Sequence, residues 1–177
     1  MDYYNLIDKY GLHHALGGTA TDGGLEQNRQ ELNSLCQFIE QKGIRTYLEI
    51  GIAKGDLLRF MQRDMGLSAM GITPKKLDSH AGLNVLYGKS QELRFLNVGR
   101  FDLIFIDGDH SYEGVKADYE KFKLLGDYLA FHDMLGLRDC EGVARLWNEI
   151  KNDHPHVEFS NPDRNIASGI GIIDVRF

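Results

Sequence analysis

Cysteine is nearly absent: Cys36 and Cys140 are the 2 in 177 residues. That is too few for a disulfide framework, so a buried apolar core must carry stability, and the thiols suit a reducing, cytoplasmic compartment. No apolar run approaches the roughly 20 residues that cross a bilayer, and Met1-Asp2-Tyr3-Tyr4-Asn5 has neither the basic region nor the apolar stretch of a signal peptide. A soluble protein without a membrane partner is expected. An excess of positive charge is also missing, with 20 Lys and Arg against 26 Asp and Glu, a formal net charge of −6. The basic residues are scattered, which argues against a nucleic-acid partner. Internal repeats and low-complexity runs do not occur.

What is present is a chain of one-domain size in which helical and extended patterns alternate. Leu32, Leu35, Cys36 and Ile39 recur at helical spacing and predict a helix over about 25–42, stopped near Gly43. Strands are predicted at Arg45 to Ile50, Ser68 to Ile72, Asn84 to Tyr87, Phe101 to Ile106 and around Tyr128 to Phe131. Helices are predicted from Gly55 to Asp64, on the Tyr112, Val115, Tyr119 and Phe122 face, and on the Val143, Leu146, Trp147 and Ile150 face. Val157 to Phe159 and Gly169 to Val175 read as a terminal antiparallel hairpin. This alternation implies an α/β fold with an open, mostly parallel, doubly wound sheet. Ligands of such sheets bind at the carboxyl ends of the strands.

Two strands end in chemistry-bearing residues. Tyr47-Leu48-Glu49-Ile50-Gly51-Ile52-Ala53-Lys54-Gly55 forms an E-x-G-x-x-x-G turn, distinct from the G-x-G-x-x-G of dinucleotide enzymes. Glycine there allows close backbone approach to a ligand, and the Glu49 carboxylate suits a cationic one. The same glycines also serve packing alone. Phe101 to Ile106 runs into Asp107-Gly108-Asp109-His110, and the next strand into His132-Asp133. Asp107 and Asp133 end strands expected to be neighbours, so with His132 they can converge on one divalent ion. As alternatives, the aspartates could cap the helices that follow, and His110 could bond a loop carbonyl. Asp109 reads as a loop former with Gly108. His13, His14, His80, His154 and His156 show no ligand spacing, so surface or loop positions are expected for them.

Phe105-Ile106-Asp107-Gly108-Asp109-His110-Ser111-Tyr112 and Phe131-His132-Asp133 resemble the F-I-D-G-D-H-x-Y and H-D motifs of class I S-adenosylmethionine-dependent methyltransferases, in the small branch similar to metal-dependent O-methyltransferases. The resemblance runs from about Leu25 to the C-terminus, through the final Gly169 to Ile173 strand. It implies a Rossmann-like seven-stranded sheet of order 3-2-1-4-5-7-6 with strand 7 antiparallel. It also implies a methyltransferase domain over 25–177. Residues 1–24 would form an N-terminal segment whose Gly17 to Gly24 stretch is either a connector or a lid.

The resemblance assigns the methionine part of S-adenosylmethionine to Glu49, Gly51, Ala53 and Gly55, and the adenine border to Gly88 and Ser90. At the end of the second strand it expects an acid on the ribose hydroxyls, where this chain has Thr73, a weaker neutral partner. It assigns a divalent metal, magnesium or manganese, to Asp107, His132 and Asp133, although imidazole suits softer ions than magnesium. His110 would be the general base, with Asp107 as its catalytic partner. The implied activity is metal-assisted O-methylation of a small hydroxylated substrate, and Arg164 and Asn165 lie where substrate loops often reside. The alternative is a catalytically inactive methyltransferase-like protein that binds small molecules or assembles with partners. The partners expected are the small hydroxylated substrate and, as an open alternative to a monomer, further copies of the chain in a homo-oligomer.

Overall fold

In the computed structural model, the described residues are 1–10, 25, 27–94, 99–137, 139–163 and 168–176. The readings of Gly17 to Gly24, His13, His14, Arg164 and Asn165 therefore lie outside the described residues. The elements in chain order are α1 (Tyr4–Ile7), α2 (Arg29–Lys42), β1 (Thr46–Ile50), α3 (Asp56–Arg63), β2 (Ser68–Thr73), β3 (Val85–Tyr87), β4 (Phe101–Ile106), α4 (Tyr112–Phe122), β5 (Gly126–His132), α5 (Glu141–Ile150), β6 (His156–Phe159) and β7 (Ile170–Asp174). Among the described residues, no helix is long and apolar enough to cross a membrane.

The seven strands form one sheet of order β3-β2-β1-β4-β5-β7-β6, with β7 antiparallel to both β5 and β6. This is the order that the resemblance implies, with the terminal hairpin read from the sequence. Continuous apolar runs make the central strands because both faces of the sheet are covered. Tyr47, Leu103, Phe105 and Ala130 face a core built with α2 and α3. Their alternates Leu48, Ile50, Ile104, Ile106 and Phe131 face a second core closed by α4 and α5 around Trp147. Each fully buried leucine or isoleucine in these layers contributes about 1.5–3 kcal/mol.

The predicted elements differ from the observed ones mainly at their ends. The first long helix begins at Arg29 rather than near residue 25, because Asn28 is its N-cap and accepts the Gln30 amide at 3.0 Å. Its stop at Gly43 holds, with Gly43 left-handed at φ +67°. The short helix α1 has no predicted counterpart. Ile7 nevertheless packs fully buried in the α2 core, and the Tyr3 amide donates to Asn33 Oδ1 at 2.8 Å.

Two local constraints set the functional edge. Gly51, at φ +85°, follows β1 so closely against β4 that a Cβ there would stand 2.0 Å from the Asp107 carbonyl oxygen. The second is Glu31 of α2, which is 1% exposed and accepts the amides of Asn161 at 2.9 Å and Gly169 at 3.0 Å. One buried carboxylate thus ties both ends of the β6–β7 connection to α2.

Gly51→Ala should lower stability by about 3 kcal/mol or more, since a left-handed φ and a backbone collision act together. Urea denaturation measures it, and an unchanged midpoint would show that the close approach is not strict. Glu31→Gln should cost about 2 kcal/mol by the same measurement, because an amide group would be set against amide donors.

Candidate active site

The site is built by lateral register. Ile50 pairs with Ile106 and Ile106 with Phe131, so the next residues, Gly51, Asp107 and His132, stand in a row across the tips of β1, β4 and β5. The strand order reverses between β1 and β4, the place where open α/β sheets form their ligand crevice. A pocket opens there, lined by Gln27, Glu49, Gly51, Ala53, Asp56 and Asp107 among others. A second cavity adjoins it through Gly51 and is lined by Ile72, Pro74, Lys89, Ser90, Gln91 and Asp109 among others.

The turn after β1 is held in a coiled shape. Ala53 and Gly55 are left-handed, at φ +43° and +84°, and the Gly55 amide donates to the Ile52 carbonyl at 2.6 Å. The Ala53 conformation is costly for a residue with a Cβ and needs outside support. His80 supplies it: 3% exposed, its Nε2–H donates to the Ala53 carbonyl at 2.8 Å while its Nδ1 accepts the Leu77 amide at 3.4 Å. The surface position expected for His80 is thus corrected: it is a buried strut under the turn after β1, within the β2–β3 connection. Glu49 is 3% exposed and accepts the Tyr47 hydroxyl at 3.0 Å.

At the other end of the row, Asp107, His110, His132 and Asp133 come together. His132 Nδ1 lies 3.3 Å from Asp107 Oδ1 and 3.2 Å from Asp133 Oδ2. His110 Nε2 lies 3.2 Å from Asp107 Oδ1 and 3.7 Å from Asp133 Oδ2. Burial disfavours the charged form of His132, but Asp107 and Asp133 outweigh it and raise its pKa well above the ordinary range. The reciprocal holds for Asp107: burial pushes it up, yet His132 and His110 hold it well below the usual carboxylate range. The hydrogen bond to Asp107 raises His110 in the same way. The two carboxylates thus favour the charged form of the imidazole between them.

The aspartates are not helix caps. α4 is capped by Ser111, whose hydroxyl accepts the Gly114 amide, and α5 starts at Cys140 without a side-chain cap. Asp133 is instead left-handed at φ +58°, the backbone device that turns its carboxylate back over the tip of β5. His110 bonds the cluster, and Asp109 is the loop former its sequence suggests, accepting the Ser111 amide at 2.9 Å.

The donor set fits a divalent ion. Asp107, His132 and Asp133 each offer a ligand atom, all within 4.8 Å of one another. Neighbouring ligands at about 2.1 Å from an octahedral ion lie about 3 Å apart, close to the spacings here. The other ring nitrogen of His132, Nε2, is buried without a hydrogen-bond partner, which leaves Nδ1 as the donor facing the carboxylates.

Several participants carried no signal in the sequence. Gln27 Nε2 donates to Asp107 Oδ2 at 3.4 Å, and Cys140 Sγ lies 3.2 Å from His110 Nδ1. Asp118, fully buried in α4, accepts from Ser90 Oγ at 2.6 Å and Gln91 Nε2 at 2.9 Å, fixing two residues that line the second cavity. Burial pushes its carboxyl up to about 6, an effect that the bond from Ser90 partly offsets. Thr73 ends β2 beside this cavity, buried, its hydroxyl near the Lys75 amide at 3.5 Å. Gly88, at the end of β3, packs against Leu93.

Comparison with known proteins agrees with this geometry. Residues 34–133 match a family described as a methyltransferase domain. No curated protein sequence matches the chain. Among solved structures, an O-methyltransferase from Bacillus cereus in complex with S-adenosylhomocysteine is 18% identical, with 80% of this chain and 79% of that one covered at a TM-score of 0.60. The O-methyltransferase TomG from Streptomyces achromogenes, involved in tomaymycin synthesis and in complex with S-adenosylmethionine, is 16% identical over 80% and 77%, at 0.61. Cofactor-bound Rv0187 from MTB is 20% identical over 97% and 87%, at 0.64. The matched span covers more than half of the chain, and the solved structures share its fold: the chain belongs to the family described as a methyltransferase domain.

Proposed function

We propose that the chain transfers a methyl group from S-adenosylmethionine to a hydroxyl of a small molecule, with a divalent metal held by Asp107, His132 and Asp133. The observation that carries this reading is the double position of Asp107, which lines the pocket beside Gly51 and belongs to the carboxylate–imidazole cluster. A methyl donor and a metal-bound acceptor could therefore meet across a single side chain.

Glu49, Gly51, Ala53 and Gly55 form the methionine end of the donor site. Glu49 supplies negative charge to an ammonium, and the glycine backbone allows close approach. Ser90, oriented by Asp118, serves the adenine end, with Gly88 and Thr73 bordering it. The donor brings its own activated leaving group, so the protein's work is orientation and charge stabilisation. A divalent ion bound by the cluster would lower the pKa of the acceptor hydroxyl and favour neutral imidazoles nearby. Of magnesium and manganese, a donor set containing imidazole favours manganese. His110, a third exposed and the most open member of the cluster, takes the hydroxyl proton, and Asp107 and Asp133 stabilise the imidazolium that forms.

Calorimetry should show binding of both S-adenosylmethionine and S-adenosylhomocysteine, and no binding at millimolar concentration would defeat the proposal. His110→Ala should lower turnover by about 10²–10⁴-fold with cofactor affinity little changed. Asp107→Asn should remove both transfer and its dependence on added manganese. Unchanged rates in the two variants would strip these residues of their roles. Cofactor binding without transfer to a panel of catechols, sugars and flavonoids would favour the inactive, binding-only alternative.

A further inference from the structure

Beside the Asp107–His132–Asp133 group lies a second set of donors, which adds to His110 and Asp133 a thiol, Cys140, that the methyl-transfer reading does not use. His110, Asp133 and Cys140 each place a ligand atom within 4.8 Å of the others. Cys140 Sγ is 3.2 Å from His110 Nδ1, the ring nitrogen that would be the ligand, while the other nitrogen, Nε2, lies 3.2 Å from Asp107 Oδ1. Cys140 is 4% exposed, while the His110 side chain keeps 34% of its surface and opens the cluster to solvent on one side.

We infer that His110, Asp133 and Cys140 form a sulfur-containing metal site, selective for zinc over magnesium, that shares Asp133 with the neighbouring cluster. The chemistry of the donors sets this preference. Thiolate and imidazole select zinc and other borderline or soft ions, whereas magnesium and calcium take oxygen. Zinc bonds of about 2.3 Å to sulfur and about 2.0 Å to nitrogen place those atoms roughly 3.5 Å apart in a tetrahedral site. The observed 3.2 Å separation needs an opening of only a few tenths of an ångström. Three protein ligands and one open side match zinc centres that keep a position for an exogenous ligand.

The backbone holds these donors in place. Asp133, at φ +58°, begins a turn that the Gly136 amide closes by donating to the Asp133 carbonyl at 3.0 Å. Gly136 packs so tightly on α5 that a Cβ would lie 2.7 Å from the Ala144 Cβ. The Cys140 carbonyl accepts the Val143 amide at 3.0 Å, so the thiol rides on the first turn of α5. His110 is fixed from the opposite side, because Gly142 of α5 sits directly against the His110 carbonyl and the Tyr112 amide. The other thiol, Cys36, lies in the apolar core of α2.

Zinc binding would release the Cys140 thiol proton to solvent and engage His110, removing it from proton transfer. Zinc would thus act against the methyl-transfer reaction while leaving the pocket beside Gly51 open. The site itself does not rest on that reaction.

Cobalt(II), a spectroscopic stand-in for zinc, tests the assignment in the full chain without cofactor or acceptor. The expected result is a near-ultraviolet sulfur-to-cobalt charge-transfer band that zinc abolishes and excess magnesium does not. Cys140→Ser should lose the band, and its zinc affinity should fall by more than the roughly 10- to 100-fold typical of losing an outer-shell partner. Cys36→Ser should keep the band. His110→Ala, which leaves the thiol in place, should weaken cobalt binding to a similar degree. Cobalt that fails to bind, binds without the band, or gives a band surviving Cys140→Ser would overturn the inference. S-adenosylhomocysteine calorimetry on the same sample separates outcomes: cofactor binding without the band defeats this site alone, and the band without cofactor binding defeats only the methyl-transfer reading.

Discussion

The functional edge depends on the contact between Gly51 and the main chain at Asp107. Backbone approaches backbone there with no room for a side chain, so β1 and β4 are locked at their tips. With β1 and β4 fixed, parallel pairing carries the register on to β5 and places His132 beside Asp107. The pocket and the charged cluster are therefore consequences of one alignment. A slip by one residue would turn Asp107 and His132 to opposite faces of the sheet.

Electrostatics builds on that alignment. The carboxylates of Asp107 and Asp133 would repel one another in a partly buried setting, and His132 relieves this by holding a proton between them. Both imidazoles of the cluster, His110 and His132, are stabilised in their charged forms by the same two carboxylates. The same arrangement makes the site economical, since Asp107 also lines the adjoining pocket.

The sheet is largely legible because each central strand is an uninterrupted apolar run and each of the longer helices keeps a 3.6-residue stripe. β4 and α4 fall at the predicted positions. Asp107, His132 and Asp133 were legible for a related reason: they stand immediately after apolar runs, and the order of parallel strands brings run-ends together. Gln27, His80, Cys140 and Asp118 were not. They reach their partners 80, 27, 30 and 28 residues away through loops and a helix flank, where no period links one position to the other. The start of α2 was misplaced because apolar periodicity does not mark a capping residue, whereas Asn28 does so through its side-chain oxygen. The N-terminal turn went unread because a four-residue helix is too short to show a stripe.

Glu31 gives the domain an unusual kind of tolerance. By gripping Asn161 and Gly169 with the two oxygens of one carboxylate, it fixes where the β6–β7 connection leaves the sheet and where it returns. Whatever lies between those anchors can change in length or composition without disturbing strand pairing, since the closure is already set by the helix beneath. The connection is thus free to diversify, a cassette held to the helix at two points.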